Sequence, residues 1–139
     1  YGPEMRGGTC NCSVVISDES IGSPLVTAPD VLIAMNLPSL DKFEDSVVPG
    51  GTILLDSSLI DRKVTRQDVK VCYVDASRLA EENNMKGSAN IILVGKMFKE
   101  LGFCTEESLY KAVDKCVPPK KAALIEVNKN ALKLGYSVE

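Results

Sequence analysis

The chain has 139 residues and a mass of 15.0 kDa, with a formal net charge of −3, a sequence pI near 5.1 and no histidine. That length suits one domain over residues 1–139, and with 45% hydrophobic and 25% charged residues it can bury an ordinary core. Without histidine there is no Ser-His-Asp triad, no Cys-His dyad, no HExxH zinc site and no imidazole proton shuttle within the chain.

The opening YGPEMRGG (1–8) reads as a Gly-rich loop in which Glu4 and Arg6 form a candidate charge pair. TCNCSVVISD (9–18) predicts a strand, because it is rich in β-branched residues with partial alternation and runs into the turn-like DESIGSP (18–24). DVLIAMN (30–36) is a continuous apolar run, the pattern of a strand covered on both faces. Pro38 suits a first helical turn with Asn36 as its cap, and Leu40, Phe43 and Val47 give 38–47 a helical apolar spacing. The helix stops at PGG (49–51). A second buried strand follows in TILLDSSLI (52–60), then a polar loop over 61–68 and a strand nearer an edge in VKVCYVDA (69–76).

From there the pattern turns helical. A short helix is predicted over 76–84. A stronger one spans 88–102, with Ser88 as cap, an apolar face of Ile91, Ile92, Val94, Phe98 and Leu101, and Gly102 as its stop. Thr105 caps a third over 106–116, whose first turn carries Glu106 and Glu107 at the positive end of the helix dipole. Pro118 and Pro119 separate it from a final helix over 120–134, which Gly135 is expected to end. Strands alternating with helices and followed by helices predict a three-layer α/β fold with a mostly parallel sheet.

An acidic pI and 5% aromatics, with no tryptophan, speak against nucleic-acid binding. No apolar run approaches membrane-spanning length and no signal peptide is visible, so the expectation is a cytoplasmic chain without a membrane partner. The five cysteines, Cys10, Cys12, Cys72, Cys104 and Cys116, include no CxxC. Cys10 and Cys12 read as small buried hydrophobes, and no metal site is expected. In open α/β sheets ligands bind beyond the C-terminal strand ends, which here carry Asp18, Asn36, Asp56, Ser57, Ser58 and Asp75. Such residues also serve as ordinary turn and cap groups, so a ligand edge and turn chemistry both stay open. Gly2, Pro3, Gly7 and Gly8 allow unusual backbone with N–H groups open to an anion, and Arg6 between them suits a carboxylate or phosphate. No GxGxxG or P-loop is present, and no catalytic residue is assigned.

The motifs GPEMRGG (2–8), MNLPSLDKF (35–43) and PGGTILLDSSLI (49–60) resemble the gamma subunit, or gamma domain, of the 2-oxoacid:ferredoxin or acceptor oxidoreductases, the pyruvate, 2-oxoglutarate, 2-oxoisovalerate and indolepyruvate enzymes. The resemblance continues through GSANIILVGKM (87–97) and the helical tail. It implies a Rossmann-like gamma domain within an enzyme that oxidatively decarboxylates a 2-oxoacid to an acyl-CoA. Thiamine diphosphate with Mg and iron–sulfur clusters would then sit on alpha, beta and ferredoxin-like delta subunits, with coenzyme A as substrate and no cofactor held by this chain alone. On this reading Gly2, Pro3, Glu4, Arg6, Gly7, Gly8, Asn36, Ser57 and Ser58 face a cofactor or subunit interface, with Arg6 for an anionic group. Family members also carry an upstream strand and a Gly-rich GxGGQG turn, so the domain is expected to be N-terminally incomplete. Cys10, Leu37 and Asp56 depart from the residues usual in the family, a small residue, glutamine and asparagine. The alternative is a stand-alone α/β module binding a nucleotide or CoA, and an isolated chain could form a homodimer.

Overall fold

The computed structural model describes residues 10–139, so the Gly-rich loop with Gly2, Pro3, Glu4, Arg6, Gly7 and Gly8 lies outside the described residues. Three parallel strands, β1 (Val31–Ala34), β2 (Thr52–Asp56) and β3 (Lys70–Val74), form a sheet in the order β1-β2-β3. Leu54 pairs with Ile33 on one side and Cys72 on the other, which fixes the register. Every residue of β2 is buried, as its unbroken apolar run requires for a central strand. β3 lies at an edge, in line with its alternating sequence.

The pleat sends alternate side chains to two cores. On one face Ile53 and Leu55 pack with Leu40, Val47 and Ile60. Leu40 comes from α1 (Leu37–Phe43), and both strand connections cover this face. On the other face Leu54, Cys72 and Val74 meet Ala80 of α2 (Ala76–Glu82), Ile92 and Leu93 of α3 (Ala89–Leu101), and Ala131 of α5 (Ala123–Ser137). A sheet covered on both faces is the three-layer α/β arrangement expected. Each fully buried leucine or isoleucine of β2 stabilises it by roughly 1.5–3 kcal/mol.

Several expectations need correction. Residues 10–18 form no strand. Cys10, Cys12, Val14 and Ile16 are exposed, the last at 82%. A β-branched pattern is a strand only where a neighbouring edge supplies hydrogen bonds, and the described sheet consists of β1, β2 and β3 without this segment. Asp18 is therefore not a strand end. The helix at 38–47 ends at Phe43 and tightens into a 3₁₀ turn over Glu44–Ser46. Ser88 gives no side-chain cap. Its carbonyl instead receives the amides of Ile91 and Ile92 at 3.0 and 3.1 Å. The final helix starts at Ala123, after a 3₁₀ turn over Pro119–Lys121.

Gly135 does not end α5. It is buried inside the helix, where α5 crosses α3, and Gly95 sits opposite. A Cβ at Gly95 would collide with the Leu132 carbonyl, and one at Gly135 with the Ile92 carbonyl. The two glycines therefore let the helix backbones approach more closely than side chains allow.

Two charge networks fix the loops. Glu44 is buried, and its carboxylate accepts from Arg62 at 2.5 Å and from the Thr65 amide at 3.0 Å. Burial would raise the Glu44 pKa, but these hydrogen bonds outweigh it and hold it low. Arg66 donates to the carbonyls of Glu44 and Val47, so the 61–68 loop is fastened to the end of α1. On the other face of the sheet, Lys96 is buried and binds Glu100 at 2.9 Å and the Val138 carbonyl at 2.9 Å. Lys70 of β3 also pairs with Glu100. Hydrogen bonds from Lys70 and then Lys96 bring the Glu100 carboxyl down to about 2, tying β3, α3 and the end of α5 together.

Two outcomes follow. Gly135→Ala should destabilise the fold by about 3 kcal/mol or more, read by chemical denaturation, while Gly22→Ala, with open space around it, stays within about 0.5 kcal/mol. Equal effects would contradict the close crossing. A depressed carboxylate pKa gives stability that is present above its ordinary value of 4.5 and lost as pH falls toward 2. The stability gap between wild type and Glu100→Gln should therefore be full at pH 6 and shrink progressively below pH 4.5. A pH-independent gap would contradict the assignment.

Candidate functional site

The C-terminal ends of the three strands meet on one edge, where sheet geometry places ligand crevices. Asn36 follows β1 in extended conformation, and its side chain accepts from the Ser39 amide at 3.0 Å. With Pro38 in the first turn, Asn36 is the cap that starts α1, as its sequence position predicts.

Asp56 ends β2 and is fully buried. Its carboxylate accepts from the Ser58 amide at 3.0 Å, the Ser77 amide at 3.1 Å and the Ser77 hydroxyl at 2.5 Å. Those bonds repay the burial of a charged group and lock the start of α2 to the end of β2. Ser57 donates through its hydroxyl to Asp75 at 2.5 Å, and the Ser58 hydroxyl accepts from the Arg78 amide at 3.2 Å. Arg78 closes the cluster by pairing with Asp75. Ser57 and Ser58 are thus brought together with Asp56, Asp75, Ser77 and Arg78, and their polar groups fix the end of β2 to the β3–α2 junction. Asn36 stands apart, on the end of β1.

Beside this cluster lies a cleft of about 330 Å³. Met35, Ala80 and Ala89 supply apolar walls, and Ser77, Glu81, Lys86 and Asn90 polar ones. Asn84 at φ 56° and Gly87 at φ 89° turn the chain between α2 and α3 so that Lys86 reaches the rim and α3 points its first turn at the cleft. The start of a helix carries partial positive charge, and Lys86 adds a full one. Apolar walls with a few polar groups are the usual make-up of a ligand cleft. Of the residues singled out in the sequence, Ser57 and Ser58 lie in the cluster beside the cleft and Asn36 on the end of β1, while Ser77, Lys86 and Asn90, which line the cleft, were not singled out. The Gly87 turn next to a helix start was their one local signal.

Among the described residues, no group of three or more Cys, Asp or Glu is arranged to hold a metal ion. Cys72 is buried, and burial pushes its thiol pKa up, which leaves it a packing group of β3. Cys104 is half-buried, and Cys116 is exposed. This donor set does not fit an iron–sulfur cluster. No helix among the described residues is long and apolar enough to cross a membrane.

The Asp56 bonds can be tested directly. Asp56→Ala leaves the Ser58 and Ser77 amides without their acceptor and should cost about 2–4 kcal/mol. Ser57→Ala removes one bond at a half-exposed site and should cost about 1 kcal/mol or less. Denaturation midpoints check both, and equal losses would remove Asp56 as the anchor.

Comparison with known proteins places this fold. The family model described as pyruvate ferredoxin/flavodoxin oxidoreductase matches residues 1–138. The ketoisovalerate oxidoreductase subunit VorA of Methanothermobacter thermautotrophicus is 42% identical over 137 residues, which is 97% of this chain and 28% of that subunit. The 2-oxoglutarate synthase subunit KorC of Methanocaldococcus jannaschii is 36% identical over 140 residues, 99% of this chain and 73% of KorC. The chain therefore spans well under a third of VorA and about three-quarters of KorC. In structure, the gamma subunit of keto/oxoacid ferredoxin oxidoreductase from Geobacter sulfurreducens superposes with a TM-score of 0.69 at 28% identity, over 77% of this chain and 62% of that one. With residues 1–138 matched by the family model, the chain belongs to the pyruvate ferredoxin/flavodoxin oxidoreductase family.

Proposed function

We propose that this chain is the gamma subunit, or gamma portion, of a thiamine diphosphate-dependent 2-oxoacid:ferredoxin or acceptor oxidoreductase, which converts a 2-oxoacid to an acyl-CoA with reduction of an external acceptor. The observation that carries the reading is the family match over residues 1–138, shared with subunits named for ketoisovalerate and for 2-oxoglutarate. Because those relatives differ in their 2-oxoacid, the proposal stops at the class of substrate.

The described residues offer no fit for an iron–sulfur cluster and no set of carboxylates for a thiamine-bound Mg ion. The chain's own contribution is a rigid edge. Asp56, Ser77 and Arg78 hold the strand ends in place, and the cleft beside them faces coenzyme A or the catalytic subunits. Gly2, Pro3, Glu4, Arg6, Gly7 and Gly8 belong to the same proposed cofactor or subunit interface, with Arg6 as the cation for an anionic group. Alpha, beta and ferredoxin-like delta subunits are the partners this role requires. The isolated chain should have no turnover of its own.

The test is reconstitution of the complex from separately purified subunits. The chain alone should give no 2-oxoacid-dependent acceptor reduction, and adding it to the catalytic subunits should restore activity. Arg6→Ala should raise the KM for coenzyme A at least fivefold or weaken assembly. A chain that turns over alone, or catalytic subunits fully active without it, would overturn the proposal. If both assembly and the coenzyme A KM stay unchanged, the role given to Arg6 is wrong. Tight coenzyme A binding by the chain alone, with no affinity for catalytic subunits, would favour an independent binding module.

A further inference from the structure

The helix α4 (Glu106–Cys116) is well made internally and poorly attached. Thr105 caps it through its side chain, which accepts from the Ser108 amide at 3.1 Å. Glu106 and Glu107 occupy its first turn, and Glu107 pairs with Lys111 one turn on at 2.8 Å. The Tyr110 hydroxyl reaches back to Glu106 at 2.9 Å. All of these interactions lie within the helix or its cap, so they favour helix formation without fixing where the helix sits.

Its attachments to the rest of the fold are few. No residue of α4 is buried. Leu109 and Tyr110 face Phe98 of α3 and Leu132 and Tyr136 of α5 across a gap of about 210 Å³. Leu109, Tyr110 and Val113 are half-buried, so the helix covers this solvent-open gap by partial packing only. The remaining ties are an exposed Asp114–Lys129 ion pair at 2.8 Å and two lysines over the Tyr110 ring, Lys133 at 5.7 Å and Lys129 at 6.0 Å. Exposed ion pairs and exposed cation–ring contacts are weak.

Both ends leave the helical backbone abruptly. Gly102 closes α3 in the left-handed conformation at φ 56°, the geometry that releases a chain from a helix. At the other end Val117 is extended and Pro118–Pro119 break the helix before α5. Underneath, Phe98 packs edge-on against Phe103 and tilted against Tyr136, with centroids 6.2 and 5.6 Å apart.

We propose that α4 is a hinged strap that lifts as one unit about Gly102 and Pro118–Pro119, opening and closing the aromatic groove formed by Phe98, Leu132 and Tyr136. The strap stands apart from the proposed function, since the contacts that define it are with α3 and α5. Opening is driven by the weakness of the outer contacts, and the unit character comes from the helix's own caps and pairs.

Native-state hydrogen exchange on the full-length protein tests this. The amides of Leu109–Cys116 should exchange at one common rate, at least tenfold faster than those of Ile92–Phe98 and Lys129–Gly135. Asp114→Asn removes the ion pair and should speed that common rate severalfold while α3 and α5 stay unchanged. Protection in α4 equal to that of α5 would overturn the proposal. So would rates graded from the helix ends inward, which signify independent fraying, or an Asp114→Asn effect shared by α5.

Discussion

The fold depends on the place where α3 and α5 cross. Gly95 and Gly135 bring two helix backbones into contact, and α5 thereby adds Ala131 to the core that covers the sheet. Overpacking a contact of this kind forces helices apart along their whole length, because close-packed interiors do not yield locally. The same crossing sets the end of α5 beside Lys96 and Lys99, whose ammonium groups both reach the Val138 carbonyl. Glycine spacing, apolar burial and charge pairing thus act at one junction.

The two faces of the sheet are finished by different means. One is sealed by helices packed on Leu54, Cys72 and Val74. The other is sealed by α1 and by a loop without regular structure, which the Glu44, Arg62 and Arg66 network holds down. Buried ion pairs are weak sources of stability but strict about geometry. That strictness suits a loop whose position decides where β3 begins. At the other end of the strands Asp56 does the same for α2. The edge that borders the cleft is therefore rigid, a condition for any surface that must position a ligand or a partner.

Much of this was legible in the sequence. The runs around Ile33 and Leu54 read as buried strands because parallel strands covered on both faces need no alternation. Asn36 and Thr105 read as caps because their side chains sit where helical amides lack partners. Other features were not local. Residues 10–18 carry a strand's composition, yet pairing is a property of two chain segments and cannot be read from one. Gly135 looked like a helix end because glycine often is one, and only the helix lying across it shows that it is a contact point. The hidden partners of Asp56 lie about twenty residues away, at Ser77, beyond the reach of any spacing rule. The family resemblance reached furthest on function, because GPEMRGG and MNLPSLDKF carry information that elementary patterning does not.

The central claim is that the strand-end edge, with its cleft between Met35, Ser77, Lys86 and Asn90, faces the other subunits or coenzyme A. Hydrogen exchange of this chain, free and within the assembled complex, tests it most directly. The account predicts that amides of residues 57–59 and 77–90 gain at least severalfold protection on assembly or on addition of coenzyme A, with the exposed face of α4 unchanged. A complex that forms with full activity while those amides exchange as in the free chain would contradict it.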